Sequence, residues 1–167
     1  IYEGTSEILE WTIARDRWQQ HLKSKGAYYR DQAAKLRQLS GGEASGCLCA
    51  GLGLEALAAI LEVCRQKRLT RHRHILFRLG ELIAFAETAA VFSEQSLSAP
   101  STAAGFSPDT LQLMARVFAR EAACKVIMDG LKWVVGSSGE QTAELTPYIG
   151  SILSQQADLV ADMDRIR

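Results

Sequence analysis

Glu3 is the first side chain in the sequence whose chemistry stands out. It sits in Ile1-Tyr2-Glu3-Gly4-Thr5-Ser6-Glu7-Ile8, a carboxylate beside a glycine and two hydroxyl residues. Such a carboxylate either serves a reaction or opens a helix. On local physics alone the helix reading is sufficient, with Thr5 or Ser6 as N-cap and Glu7 or Ile8 in the first turn. The densest basic run is Arg65, Lys67, Arg68, Arg71, Arg73 and Arg78, interleaved with His72 and His74. It could attract phosphates, acidic lipids or an acidic partner. As plain structure it is a solvated helix end, whose cations suit the dipole of a helix ending near Lys67. His72 and His74, two apart, lack the helical spacing of a shared metal site, and Cys47, Cys49, Cys64 and Cys124 contain no Cys-x2-Cys pair. No metal site is expected, and the cysteines read as reduced thiols.

Two further groups carry alternative readings. Tyr28, Tyr29, Leu36 and Leu39 alternate with Arg30, Lys35 and Arg37 and would suit either a membrane-surface segment or a connecting helix. Arg120 shares a helix side with Val117, Cys124 and Leu131. A buried arginine without a partner is costly, so it either meets an acid across the fold or faces a further domain.

The elements that must position these groups read as all-α. Only three prolines occur, and Ala/Leu/Glu/Gln/Arg-rich stretches run between glycine and serine clusters. A first helix begins near Thr5 or Ser6, presents Ile8, Leu9, Thr12 and Ile13, and ends before Gly26. Residues 27–39 form a shorter second helix, and 40–46 read as a linker. Leu54, Leu57, Ile60, Leu61 and Cys64 fall on one face of a third. A fourth runs from about Thr70 to Leu97 with Ile75, Leu79, Leu82, Ile83, Ala86, Ala89 and Ala90 inward. After an interval around Pro100 and Gly105, Ser107-Pro108-Asp109 supplies an N-cap, a first-turn proline and an acid. That helix carries Leu113, Val117, Cys124, Ile127, Met128, Leu131, Val134 and Val135 on one side. A last helix spans about Thr142 to Ile166, with Pro147 in its first turn or after a break; Ile149, Ile152, Leu153, Leu159, Val160 and Met163 are its stripe. The simplest packing is an antiparallel, up-and-down helical bundle.

The chain has 167 residues, with Lys+Arg and Asp+Glu balanced at 19 each. That balance removes any global electrostatic argument for nucleic acid or an anionic membrane as principal partner. No stretch reads as the roughly 18 to 20 apolar residues of a membrane span. The sequence opens on Ile1 and not Met, and is read as a piece of a longer protein.

The opening run, followed by Ala14-Arg15, closely resembles the C-terminal signature of the flavin-dependent acyl-CoA dehydrogenase family. That resemblance implies Glu3 as the catalytic base that removes the α-proton of an acyl thioester, with Gly4 beside the substrate. It implies that Thr5, Ser6 and Glu7 lie along the FAD, and that Arg15 matches the arginine on the same helix. A carboxylate enclosed in an apolar pocket is poised for such work, because lost solvation raises its pKa toward the working pH. The flavin-binding part would lie in an upstream catalytic domain of the same chain.

The continuation to Arg167 is similar to the extra helical domain of the very-long-chain type of that family, through Ala56-Leu57 to Lys67, Phe77-Arg78-Leu79-Gly80 and Glu121-Ala122-Ala123. The resemblance divides the chain into residues 1–25, the end of the catalytic domain, 26–46, a connecting segment, and 47–167, a C-terminal bundle. It implies a parent enzyme that oxidises fatty acyl-CoA to trans-2-enoyl-CoA and passes electrons to an electron-transfer flavoprotein. The bundle would then serve packing, homodimer formation or docking, without activity or FAD of its own. Peripheral membrane contact is a further expectation, and nucleic acid is not an expected partner. The setting expected is cytoplasmic in a bacterium, at or near the inner membrane, or mitochondrial in a eukaryote. The competing reading is a free-standing helical interaction or membrane-docking module.

Overall fold

A computed structural model describes residues 6–39, 42–98, 105–138 and 143–166. Among these the chain is helical throughout: α1 (Ser6–Lys23), α2 (Ala27–Gln38), the single turn α3 (Gly42–Ser45), α4 (Cys47–Gln66), a 3-10 turn (Leu69–Arg71), α5 (Arg73–Leu97), α6 (Pro108–Ser138), α7 (Thr146–Ser154) and α8 (Leu159–Ile166). They pack as a helical bundle.

α4 is its axis. Fourteen of its residues are buried, from Cys47 to Cys64 and on every side of the helix, as expected of a helix that is apolar all round. Leu54, Leu57, Ile60 and Leu61 are essentially inaccessible, and each contributes about 1.5–3 kcal/mol of burial. The expectation that no stretch is long and apolar enough for a membrane span is corrected by α4, which is so by length and composition; 78% of its apolar window is buried within the bundle.

Small residues let α6 approach α4 closely. A Cβ at Gly46 would stand 2.7 Å from the Arg116 Cα, one at Gly53 3.3 Å from Ala123, and Gly130 faces the tip of Ile60. These pairs advance together along both chains, so α4 and α6 are parallel. α5 runs the other way: Glu81 pairs with Lys125, whereas Phe85 and Phe92 both lie beside Phe118. The three central helices thus alternate in direction, as an up-and-down bundle requires. α1 lies on α5, advancing with it from Glu10 against Gly80 to Arg17 at Glu87. α2 covers α4, with Tyr29, Ala33 and Leu36 in the common core.

Several boundaries follow the expected chemistry. Ser107 Oγ accepts the Thr110 backbone N–H at 3.1 Å and so caps α6, and Pro147 lies in the first turn of α7. The stripes of α4 and α5 are buried as read. Others differ. The segment 40–46 is not a bare linker, since Gly42–Ser45 is a helical turn whose buried Ser45 Oγ lies 3.1 Å from Cys47 Sγ. The last helix is two, broken around Asp158, whose φ of 62° is left-handed.

Side assignments change as well. Ile8 and Leu9 are 55% and 57% exposed, and α1 instead buries Ala14 and His21. Met128, Leu153 and Val160 also face outward. On α6 Leu113, Ile127 and Val134 are buried as read, but Ala115, Ala119, Ala122, Ala123 and Val126 also turn inward, small residues that allow the close α4 contact at Gly46 and Gly53. Arg120 meets an acid across the fold, as one of its two readings had it.

Candidate functional site

Of the residues assigned by resemblance to an active site, Glu3, Gly4 and Thr5 lie outside the described residues. Ser6 and Glu7 open α1 and are exposed. The hollows along α1 are lined by Thr12, Ile13, Asp16 and Arg17 with Ala84, Glu87 and Thr88, and by His21 and Leu22; neither includes Ser6 or Glu7. Arg15 is exposed, with its Nε 3.0 Å from the Asp16 carboxylate and its guanidinium 4.9 Å from the Trp11 ring centre.

The buried polar chemistry lies elsewhere, in three clusters. In the first, Arg17 on α1 donates two hydrogen bonds to Glu87 on α5, Nε to Oε1 at 2.5 Å and Nη2 to Oε2 at 3.0 Å. The Tyr29 hydroxyl from α2 donates to the same Oε1 at 2.8 Å. One carboxylate therefore ties three helices. Tyr29 is fully buried; burial, with Glu87 adding to it, pushes its phenol well above the ordinary range. Its ring and hydroxyl, with Ala33 and Leu36, place this face of α2 in the core.

In the second cluster Asp162 on α8 accepts two bonds from Arg116, at 2.8 and 2.6 Å, and one from Arg120 at 2.7 Å. Asp162 is 4% exposed. Burial works to raise its carboxyl, but the hydrogen bonds and charges of Arg116 and Arg120 outweigh that and hold it below the usual range. Gln156 adds a bond from Nε2 to the Arg120 carbonyl at 3.2 Å.

The third cluster surrounds a cavity of about 440 Å³ where α1 turns into α2 beside the end of α4, lined by His21, Leu22, Lys25, Gly26, Arg30, Glu62 and Arg65. His21 is 1% exposed and stacks on Trp18, with ring centres 5.8 Å apart. Neither of its ring nitrogens makes a hydrogen bond; the nearest acid is Glu62, with Oε2 3.5 Å from Nε2. Burial lowers the His21 pKa against the opposing pull of Glu62. Glu62 is engaged by Arg65 through bonds of 2.9 and 2.6 Å and by Gln66 at 3.2 Å. The Arg65 hydrogen bond leads in pulling its carboxyl down to about 2.

Reading the sequence placed Arg120 and the basic run but missed His21, Lys25, Arg30 and Glu62 as a group. The available signal was the spacing 14, 17, 18, 21, which defines the inward side of α1 once Ile8 and Leu9 are set outside. In the basic run, Arg68, Arg71, His72, Arg73 and His74 are exposed. Arg73 and His74 open α5, whose first turn has no acid. There the helix dipole disfavours them, whereas Arg65 in the last turn of α4 and Lys67 at its C-cap hold the favourable position read from the sequence.

Cys47, Cys49 and Cys64 are buried and Cys124 is half-buried; none is in a disulfide. Burial pushes the thiols of Cys49 and Cys64 up to about 12 and raises that of Cys47. Among the described residues no group of three or more His, Cys, Asp or Glu is arranged to hold a metal ion. No family model, no curated protein and no solved structure matches the chain.

Proposed function

We propose that this chain is the C-terminal part of a flavin-dependent acyl-CoA dehydrogenase, and that its bundle packs on a catalytic domain and takes part in a homodimer. The whole protein would oxidise a fatty acyl-CoA to the trans-2-enoyl-CoA with FAD and pass electrons to an electron-transfer flavoprotein. The observation that carries this reading is the run Ile1 to Ile8 followed by Ala14-Arg15. In that reading Glu3 is the base, Gly4 lies beside the substrate, and Thr5, Ser6 and Glu7 lie along the cofactor.

The packing of α1 supports it. One side of this helix is fixed on α5, while Ile8, Leu9 and Trp11 remain 40–57% exposed on another. A helix with apolar residues on two sides suits a place between two packing partners. The test is to express the full-length gene product and compare it with Glu3→Gln against acyl-CoAs of graded length. Loss of turnover with flavin retained is the expected result, and a fully active Glu3→Gln enzyme removes Glu3 as base. The chain by itself is expected to bind no FAD; flavin absorbance that survives gel filtration would contradict this.

A second reading, a docking module for an acidic surface, is favoured by the exposed cations Arg68, Arg71 and Arg73. Of these, Arg73 opens α5 at the unfavourable end of its dipole, and Arg68 and Arg71 belong to the 3-10 turn before it. Salt-sensitive binding to anionic liposomes supports this reading, and absence of such binding sinks it.

A further inference from the structure

A cavity lies between the α1–α2 turn and the end of α4. Its lining contains three cations, Lys25, Arg30 and Arg65, against one carboxylate, Glu62. That carboxylate is already held by the fork of Arg65 and by Gln66. Arg65 keeps further N–H groups free for another acceptor, since a guanidinium has five. Lys25 and Arg30 make no ion pair among the described residues and are exposed.

Two backbone features add to the positive field. Gly26 lines the cavity in the left-handed region at φ 82° and directly precedes the first turn of α2, which carries no acid; there the Ala27 N–H donates to the Ser24 carbonyl and the Tyr28 N–H to Ser24 Oγ. The positive end of the α2 dipole therefore lies at the cavity. Lys25, also left-handed at φ 51°, is held at the turn and not within a helix.

His21 is the second, independent observation. A buried imidazole with both ring nitrogens unbonded is unusual, because buried polar groups nearly always find partners. The groups around it are Glu62 and Arg65 from α4, Arg30 from α2 and Lys25 from the turn. Even if Nε2–H leans toward Glu62 at 3.5 Å, the other nitrogen has no partner in the protein. With Nε2–H turned toward Glu62, Nδ1 of the neutral ring is a free acceptor for a protonated phosphoryl oxygen; in the other tautomer Nδ1–H can donate to an oxyanion.

We propose that this cavity binds a phosphate-bearing small molecule, its phosphoryl oxygens held by Lys25, Arg30 and Arg65 with the His21 imidazole in the wall behind them. Cations that arrive from the turn, α2 and α4 approach from different directions, which suits a tetrahedral oxyanion with several acceptor oxygens better than a planar carboxylate. The volume, about 440 Å³, leaves room for an organic group attached to the phosphate. A lipid surface is a poorer fit, because His21 is recessed and a bilayer headgroup layer would reach only the outer cations.

This inference stands apart from the dehydrogenase reading and is tested without turnover. The full chain is titrated with inorganic phosphate and with glycerol 3-phosphate, followed through the His21 ring resonances by NMR and through heat by calorimetry. Saturable binding is expected, with His21 signals shifting in step and the glycerol ester bound at least as well as phosphate. Arg30→Gln and Lys25→Gln, both at exposed positions, should each weaken binding roughly five-fold or more. Lys132→Gln, exposed on α6, should leave it unchanged. The site is refuted if the resonances do not respond, if Arg30→Gln and Lys25→Gln bind as the parent does, or if only phosphatidic acid vesicles produce a response.

Discussion

Gly80 on α5 faces the backbone carbonyl of Glu10 on α1 with no room for a side chain between them: a Cβ at Gly80 would fall inside hard contact of the Glu10 oxygen. The opposing atom is backbone, so relief requires α1 to move as a body. Gly80→Ala should cost about 1–3 kcal/mol through overpacking, and should loosen α1 first. Gly130→Ala meets the end of the Ile60 side chain, which can rotate or be shortened. Combined with Ile60→Val it should cost less than the sum of the two single changes. Gly136 is helical with open space around it, so Gly136→Ala should stabilise by about 0.5–1 kcal/mol. Urea unfolding of the set decides; equal effects at Gly80 and Gly136 would show that the α1–α5 contact does not form.

Glu87 should matter more than Arg17. Removing Arg17, whose side chain is 39% exposed, breaks a half-solvated pair and should cost about 1 kcal/mol or less. Glu87→Ala also strands the buried Tyr29 hydroxyl and should cost about 1–3 kcal/mol. Tyr29→Phe removes only the hydroxyl, at about 0.5–1.5 kcal/mol. A double-mutant cycle between Tyr29 and Glu87 that shows no coupling would remove the three-helix junction from the account.

Asp162 links acid stability to the seating of α8. Its folded carboxyl lies below the usual range, so the unfolded chain takes up its proton first as pH falls. The stabilisation is full above the ordinary aspartate value of about 3.9 and declines as pH drops through the folded value. Asp162→Asn should be about 3 kcal/mol less stable at neutral pH, the low end for breaking a buried pair because both guanidiniums keep some contact with water. It should also show a shallower loss of stability below pH ~4. Parallel pH curves for the two proteins would show that the Arg116–Asp162–Arg120 contact contributes nothing.

The four cysteines should divide by burial. Cys47, Cys49 and Cys64 are 0–3% exposed, their thiols raised by burial, and thiolate is the reactive form. Only Cys124 should react promptly with a thiol reagent under native conditions, and all four in denaturant. Rapid reaction of two or more thiols in the native protein would show that α4 is not enclosed as described.

What the sequence by itself determined was the local and strongly periodic part. Helix class, the cap at Ser107, the place of Pro147 and the inward faces of α4 and α5 all depend on neighbours three or four residues apart. Such residues share a helix face whatever surrounds them. Only tertiary structure decided which side of α1 turns inward, because the choice between Ile8 with Leu9 and Ala14 with His21 depends on what α5 offers opposite. Gly80 offers a backbone-close surface that accepts the Glu10 carbonyl, and Glu87 offers a carboxylate to Arg17. The same holds for α6, where the narrow gap set by Gly46 and Gly53 admits alanines and leaves Met128 outside. The cavity at His21 was invisible for a related reason. Its residues come from positions 21–30 and 62–65, and nothing short of the packed bundle brings an unpaired imidazole, a turn and the end of a helix to one place.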